Sequence, residues 1–472
     1  MSGAPWAGRA LHLIGIGGAG MSGLALVARE LGASVTGSDR ADSSYCERLR
    51  ATGIEPLIGH DAANLPEDAE IVVSTAISTE NPELVAALER GARVLHRGEL
   101  LGEVARLKRC IAIAGTHGKT TTAGMTAHAL VACGLDPAFV VGGELRSAGT
   151  NAAWGAGEWI VVEADESDRS FLELEPEVAV VTNVELDHHS EFASVYELER
   201  AFDEFAAGAR VRIAGADVAL AGAVERFGIR GGSRPRDEPL GIAAEGVELH
   251  PLGSRFTVVA DQAPAAGAPV ELGVPGAHNT LNALAALAAC RAAGLDIERA
   301  GAALASFEGA GRRFEPMGRT AGGAEVYDDY AHHPTEVRAT LEAARSLGAE
   351  RVIACFQPHL FSRTRSLARE FGQALALADL VVVVDVYPAR EHAEDFPGVS
   401  GWLVAAATAD AAAGRPVWWL PRLEQARQLL AGELRAGDAL LTLGAGDVDG
   451  LARGLATAGS SAAAAKDRNG GG

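Results

Sequence analysis

The sequence predicts an α/β protein with more than one sheet, and three observations carry that reading. Three times an apolar strand-like run leads into a Gly-bearing turn or loop and then a helical pattern: ALHLIG at 10–15, CIAIAG at 110–115 and RVIACF at 351–356. Between them recur shorter runs of the same kind, IVVSTA, EWIVVEAD, VAVVTN, LVVVVDV and ALLTLG. Strands this uniformly apolar are those buried on both faces of a parallel sheet. The third observation is length: 472 residues leave room for about three domains at roughly 150 residues each.

Composition narrows the class. Hydrophobic residues are 48% and charged residues 22%, a balance that supplies several cores and argues against an intrinsically disordered chain. The formal net charge of -21 repels polyanions, so non-specific nucleic-acid binding and a basic membrane patch are not expected. No window approaches the roughly 20 apolar residues of a membrane span, and the short run from Leu11 to Ile14 after Arg9 is no secretory core. Five scattered cysteines, Cys46, Cys110, Cys133, Cys290 and Cys355, never form a C-x-x-C pair, which fits free thiols in a reducing cytoplasm and no structural zinc. The expected protein is soluble and cytoplasmic. Its only lysines are Lys108, Lys119 and Lys466, so any functional lysine is one of these.

A first boundary falls near Lys108, where a fresh strand opens, and a second near 311–317, before the strand AEVYDDY. This divides the chain into 1–107, 108–311 and 312–456. Within the second part, residues 211–275 are rich in Gly, Ala, Pro and Val and read as a small extension of short antiparallel strands. The Ala, Gly and Ser tail at 457–472 is expected to be disordered.

The strongest motif is Gly115-Thr116-His117-Gly118-Lys119-Thr120-Thr121-Thr122, between a strand and an Ala-rich helical stretch. The N–H groups of such a turn, the helix N-terminus and the Lys119 ammonium can surround a triphosphate, while Thr120 can ligate magnesium. Ile113 stands where the usual phosphate-loop pattern has its first glycine. Gly15-Ile16-Gly17-Gly18-Ala19-Gly20 follows the first strand, and Asp39 ends the second about 20 residues on, the layout of a dinucleotide-binding unit. Taken alone that motif is equally compatible with a close helix-to-sheet contact and no ligand.

Acidic and histidine clusters follow. Glu163 ends the strand WIVVE and leads into Ala164-Asp165-Glu166-Ser167-Asp168; Asp187-His188 follows VAVVTN, so Glu163 and His188 are candidate metal ligands if their strand ends converge. Gly276-Ala277-His278-Asn279 opens a helix with Asn282 one turn later, where Asn279 can read a base or ribose or simply cap the helix. Arg312-Arg313-Phe314-Glu315, then 328–336 (DDYAHHPTE) and Phe356-Gln357-Pro358-His359 with Arg363 and Arg365 complete the set. Pro334 suits the first turn of a helix, which leaves the histidines before it at the carboxyl end of a strand.

From about Leu11 to Asp447 the chain resembles the Mur ligases of bacterial cell-wall synthesis, on ordered motifs that include GIGGAGMSGLA, GTHGKTTT, EADESDRSFL, TNVELDH, GAHNTLNALAA, DDYAHHPTE and FQPHLFSRTR. Within that family FQPH with SRTR favours the member that adds L-alanine over its cousin that recycles an intact murein tripeptide.

The resemblance implies three domains: an N-terminal Rossmann-like domain for a UDP-sugar, a central P-loop-type sheet with a small β extension for ATP, and a C-terminal Rossmann-like domain. By the same resemblance Gly17, Gly18, Ala19, Gly20, Met21, Ser22, Asp39 and Ser74 bind the UDP-sugar. Residues 115–121 with Asn279, Arg313 and Asp329 bind ATP; Thr120, Glu163 and His188 hold magnesium; Lys119, His188 and Glu163 are catalytic; and Tyr330, His332 and Arg363 border the amino-acid site. The implied activity is ATP-dependent joining of L-alanine to UDP-N-acetylmuramate through an acyl phosphate, in a monomer or weak homodimer. Ala331, Leu360 and Ser190 depart from the family's usual Gly, Arg and Asp, and no lysine between Lys119 and Lys466 can supply the carbamylated lysine of several Mur ligases.

Overall fold

In the computed structural model, which describes residues 4–187, 191–231, 239–260 and 267–456, the apolar runs form the centres of three sheets. His188 and the tail from Thr457 lie outside the described residues. The first sheet holds β1 (Ala10–Ile14), β2 (Ser34–Asp39), β3 (Leu57–Ile58), β4 (Glu70–Val73) and β5 (Val94–His96) in the order β3-β2-β1-β4-β5, all parallel. β1 is central and its residues from Leu11 on are buried. The winding reverses between β1 and β4, and a sheet of this kind opens a crevice at its carboxyl ends there.

The second sheet comprises β6 (Arg109–Ala114), β7 (Ala138–Leu145), β8 (Thr150–Ala153), β9 (Trp159–Glu163), β10 (Val178–Val181), β11 (Val211–Gly215), β12 (Glu225–Ile229), β13 (Ile242–His250), β14 (Gly253–Ala260) and β15 (Ala268–Leu272). Its order is β15-β14-β13-β12-β11-β10-β6-β9-β7-β8. The expected antiparallel extension holds only for β13, β14 and β15; β11 and β12 run parallel to their neighbours. The extension is therefore no separate sheet. It continues the central one, whose inner strands β9, β6 and β10 lie side by side and parallel with their carboxyl ends together.

The third sheet contains β16 (Glu315–Arg319), β17 (Glu325–Asp329), β18 (Arg351–Phe356), β19 (Leu380–Val383), β20 (Val417–Trp419) and β21 (Asp438–Leu443), in the order β16-β17-β21-β18-β19-β20. All its pairs are parallel except β16 with β17.

Each sheet buries apolar side chains on both faces, as the strand composition requires. One core holds Ile111, Ile113, Val161 and Val180 with Leu284 and Leu287 of the helix Ala277–Ala292. Ala112, Val162 and Val181 face the other way, into a core that also contains Leu24, Ala25 and Ala28 of the helix Ala19–Glu30. The first domain thus shares a core with the second. Gly23 makes the contact possible, because a Cβ there would lie 3.2 Å from Asn151 Nδ2 and 3.3 Å from Ala152 Cβ. All five cysteines are buried and free. No helix among the described residues is long and apolar enough to cross a membrane.

Candidate active site

The phosphate-type turn connects β6 to the helix Lys119–Ala132, whose N-cap, Gly118, has a φ of 81° and no side-chain cap. A helix that begins this way leaves its first N–H groups without intrahelical partners, a ready site for an anion. Not all of the motif faces that site. The Thr116 N–H donates to Asn183 O at 3.0 Å and the His117 N–H to Asn183 Oδ1 at 2.9 Å, so both are committed to the loop after β10. The His117 ring turns away as well, with Nδ1 3.2 Å from Glu336 Oε1. The groups that remain for phosphate run from Gly118 to Thr121.

Lys119 folds over the turn. Its ammonium donates to Gly115 O at 2.7 Å, to Thr116 O at 3.1 Å and to Glu166 Oε1 at 3.0 Å. Burial pulls the Lys119 pKa down, but Glu166, Asp165 and Glu163 outweigh it and the pKa is raised, so the lysine stays cationic. Burial and the neighbouring Asp165 push Glu166 up to about 7 against the pull of Lys119.

Beside it, Thr120 Oγ1 donates to Glu163 Oε1 at 2.9 Å, and the Gly142 N–H donates to Glu163 Oε2 at 2.6 Å. Gly142 is needed there, because a Cβ would sit 2.7 Å from that oxygen. A hydroxyl and a carboxylate so placed form a hard oxygen set of the kind magnesium takes. The ends of β9, β6 and β10 do converge, which brings Glu163 to the turn; His188, the other candidate metal ligand, lies outside the described residues.

The third sheet completes the wall. The Arg313 guanidinium donates to Thr120 Oγ1 at 3.2 Å. Asp329 accepts the Phe314 N–H and the Ala331 N–H, both at 2.8 Å, and burial raises its carboxyl to about 6 against the pull of Arg313. A cavity of about 690 Å³ opens between the sheets and reaches Gly118, Thr121, Asn279, Arg313 and Asp329. Asn279 is not a cap: Gly276 takes that place, and the Asn279 amide donates to Pro275 O at 2.7 Å while its oxygen accepts from Asn282 at 3.0 Å. An ammonium and a hydroxyl–carboxylate pair beside a helix N-terminus that opens on such a cavity fit a nucleoside triphosphate with its cation.

In the first sheet, Gly17 and Gly18 follow β1 and Ser74 follows β4, so they flank the reversal crevice. Ala19 and Gly20 open the helix below it. Other expected contacts do not face it. Met21 and Ser22 are buried on the inner side of that helix, where Ser22 Oγ donates to Ala19 O at 2.9 Å. Asp39 Oδ2 accepts the Gly17 N–H at 2.9 Å and so shapes the loop itself.

Of the expected amino-acid residues, Tyr330 and His332 lie with ring centroids 5.4 Å apart, and His332 meets His359 at 5.9 Å. Burial pushes His332 down to about 4 against the pull of Glu336. Arg363 is engaged elsewhere, donating from Nε and Nη2 to the two carboxylate oxygens of Asp187 at 2.9 and 3.0 Å, with both side chains buried. Its charge is therefore already balanced. Leu360 adopts a left-handed φ of 69° at the head of the same helix.

Sequence reasoning missed several groups here. Glu166 and Glu336 stood inside quoted motifs without an assignment. His278 lines the cavity, with burial pushing it down to about 4, and its place beside Asn279 was the available signal. Arg97, which donates to Asp165 at 2.6 Å and Asp168 at 2.8 Å from the first domain, carries no local signal at all.

Residues 10–109 match the family described as Mur ligase family, catalytic domain; residues 113–290 match the Mur ligase middle domain; and residues 312–446 match the Mur ligase, glutamate ligase domain. Similar proteins include the UDP-N-acetylmuramate--L-alanine ligase of Streptomyces coelicolor, 46% identical over 93% of this chain and 95% of that protein. The enzyme of the same name from Kineococcus radiotolerans is 48% identical over 93% of each. Among solved structures, UDP-N-acetylmuramate-alanine ligase from Thermotoga maritima aligns with a TM-score of 0.81 at 28% identity, covering 96% of this chain and 99% of that one. A murein peptide ligase from Psychrobacter arcticus aligns at 0.73 and 26%, covering 96% and 98%.

Proposed function

The chain belongs to the Mur ligase family, and from that premise we propose that it is a cytoplasmic ATP-dependent ligase of peptidoglycan precursor synthesis. It joins L-alanine to the lactyl carboxylate of UDP-N-acetylmuramate through an acyl phosphate and releases ADP and phosphate. One observation carries the reading: Gly118 and Thr121 of the central turn line one cavity with Arg313 and Asp329 of the third sheet, and Thr120 beside it joins Glu163 to Arg313. The names of relatives that match most of the chain support the choice of substrates.

The division of labour follows the three sheets. Residues 1–107 would hold the UDP-sugar at the reversal crevice, through Gly17, Gly18, Ala19, Gly20 and Ser74. Residues 108–311 would hold ATP, with Gly118–Thr121 on the phosphates and Asn279 and His278 toward the base. Residues 312–456 would supply Arg313 and Asp329 to the nucleotide, and Tyr330, His332 and Arg363 to the edge of the amino-acid site.

Thr120 and Glu163 would hold magnesium, with His188 at a second position, and the metal neutralises phosphate charge. Lys119 would exchange its carbonyl and Glu166 partners for phosphate oxygens and balance charge as the γ-phosphoryl moves. A lactyl oxygen bonds to the γ-phosphorus as ADP leaves; the L-alanine nitrogen then bonds to the acyl carbon, and phosphate departs with that oxygen. Such transfer relies on positioning and charge neutralisation. The buried pair of Asp187 with Arg363 would help keep water out once the sheets meet. With no lysine between Lys119 and Lys466, an acidic residue or water takes the place of a carbamylated lysine.

The test is ADP release with UDP-N-acetylmuramate and a panel of L-alanine, glycine, L-serine and an intact murein tripeptide. Release that depends on both the sugar and L-alanine is expected, with an oxygen label from the lactyl carboxylate found in the phosphate. Turnover with the tripeptide in place of L-alanine would replace this reading with the recycling one. Product formed without label in phosphate would remove the acyl phosphate.

A further inference from the structure

Where the central and third sheets meet, three side chains converge that the magnesium position does not use. His117 comes from the turn after β6, Glu185 from the loop after β10, and His333 is the N-cap of the helix Pro334–Arg345. One ligand atom from each lies within 4.8 Å of the others. His117 Nε2 is 3.4 Å from Glu185 Oε2, and His333 Nδ1 is 3.7 Å from the same oxygen. These gaps are long for hydrogen bonds. They are close to the edge of a tetrahedron around zinc, about 3.3 Å for bonds of roughly 2.0–2.1 Å.

Two further observations point to a ligand between them. His117 Nε2 is buried and meets no group other than Glu185 Oε2, at 3.4 Å and without good hydrogen-bond geometry, while the opposite ring nitrogen, Nδ1, lies 3.2 Å from Glu336 Oε1. A carboxylate on the far nitrogen is what fixes the tautomer and orientation of a metal-binding imidazole. Glu185 is oriented in turn, since Thr335 Oγ1 donates to its Oε2 at 2.6 Å. His333 Nδ1 also accepts the Thr335 N–H, at 3.4 Å, so a metal there would displace a long capping bond.

We infer that His117, Glu185 and His333 bind a divalent transition metal of the zinc type, as a site distinct from the Thr120–Glu163 magnesium position. Two imidazoles and one carboxylate select zinc or cobalt over magnesium, which prefers an all-oxygen shell. The fourth position would be left to water. Because His333 belongs to the third sheet and the other two ligands to the central one, the metal binds only when these sheets are together. It would then hold the seam shut beside the nucleotide cavity, and turnover that requires the seam to open would fall. The buried cysteines take no part.

The experiment titrates the full chain with Co2+ in excess Mg2+ and follows visible absorption, a readout that requires no turnover and stands apart from the ligase reading. One equivalent should give the intense spectrum of a tetrahedral site, and Zn2+ should displace it. Glu185→Gln and His333→Asn should each weaken Co2+ binding by at least ~10-fold; asparagine keeps a helix cap at position 333, and thermal unfolding checks that both variants fold. Glu336→Gln should weaken it less. The weak spectrum of octahedral cobalt, no binding, or equal affinity in all three folded variants would overturn the site and leave the cluster an ion-pair contact between sheets.

Discussion

The seam between the first and second sheets is largely apolar, whereas that between the second and third is made of charges and hydrogen bonds. Across the first, Leu24, Ala25 and Ala28 share one core with Val140, Ala152 and Val162, and Gly23 lets the helix approach. Arg97 adds ion pairs to Asp165 and Asp168 at its edge. Across the second stand Asp187 with Arg363, His117 with Glu336, Glu185 with Thr335, and Thr120 with Arg313. Separating an apolar seam exposes area at about 25 cal/mol per Å². Hydrogen bonds exchange with water for about 1 kcal/mol each. On this comparison the polar seam is the one that parts at lower cost, and the first two sheets are the firmer platform.

Variants at the two seams should therefore fail differently. The largest effect is expected on the polar side, where Lys119→Ala should lower turnover by at least ~100-fold, through lost charge stabilisation, in a variant that circular dichroism shows to be folded. Near wild-type turnover in the folded variant would remove Lys119 from the chemistry. Next, Glu163→Ala should raise the magnesium concentration for half activity on the order of tenfold, with UDP-sugar affinity unmoved; a magnesium titration decides.

Asp187→Ala leaves a buried arginine unpaired, which should cost about 3–5 kcal/mol. The double variant Asp187→Ala with Arg363→Met should recover part of it in denaturant titrations. Equal losses in the single and double variants would show that the pair does not hold the polar seam. At the apolar seam, Gly23→Val should cost about 1–3 kcal/mol by overpacking and raise the KM for the UDP-sugar more than that for ATP. The smallest effect should lie away from both seams. Burial pushes the Glu83 carboxyl up, but hydrogen bonds from His12, Ser38, Asn64 and the Asp61 N–H bring it down to about 2 from 4.5. A depressed carboxylate stabilises above its ordinary range and loses that contribution as pH falls toward about 2. The stability gap between wild type and Glu83→Gln, measured by denaturant at several pH values, should be widest near neutrality and narrow in acid.

What the sequence revealed about the fold was local. β1, β6 and β18 fall on the three long apolar runs because burial on both faces writes itself directly into composition. Glu163 stood out because it ends β9, and Lys119 because it follows the Gly115–Gly118 turn at the head of a helix. The misses came from periodicity and distance. A run after a glycine motif looks uniformly ligand-facing, yet helical repeat turned Met21 and Ser22 inward. Nothing local marks the partnership of Asp187 with Arg363, 176 positions away. Nor does composition distinguish β11 and β12, which continue a parallel sheet, from the antiparallel strands that follow.

The contact between Lys119 and Glu166 has a calorimetric consequence. Burial and the charge of Asp165 push the Glu166 carboxyl up to about 7, while the Lys119 ammonium beside it pulls the other way. A triphosphate that drew Lys119 away and brought further negative charge would raise that value, and the carboxyl would take up a proton as the nucleotide bound. Near neutrality the measured heat of ATP binding should then vary with the ionisation enthalpy of the buffer, with the sign of proton uptake. In Glu166→Gln that dependence should shrink by the share this one carboxyl contributes.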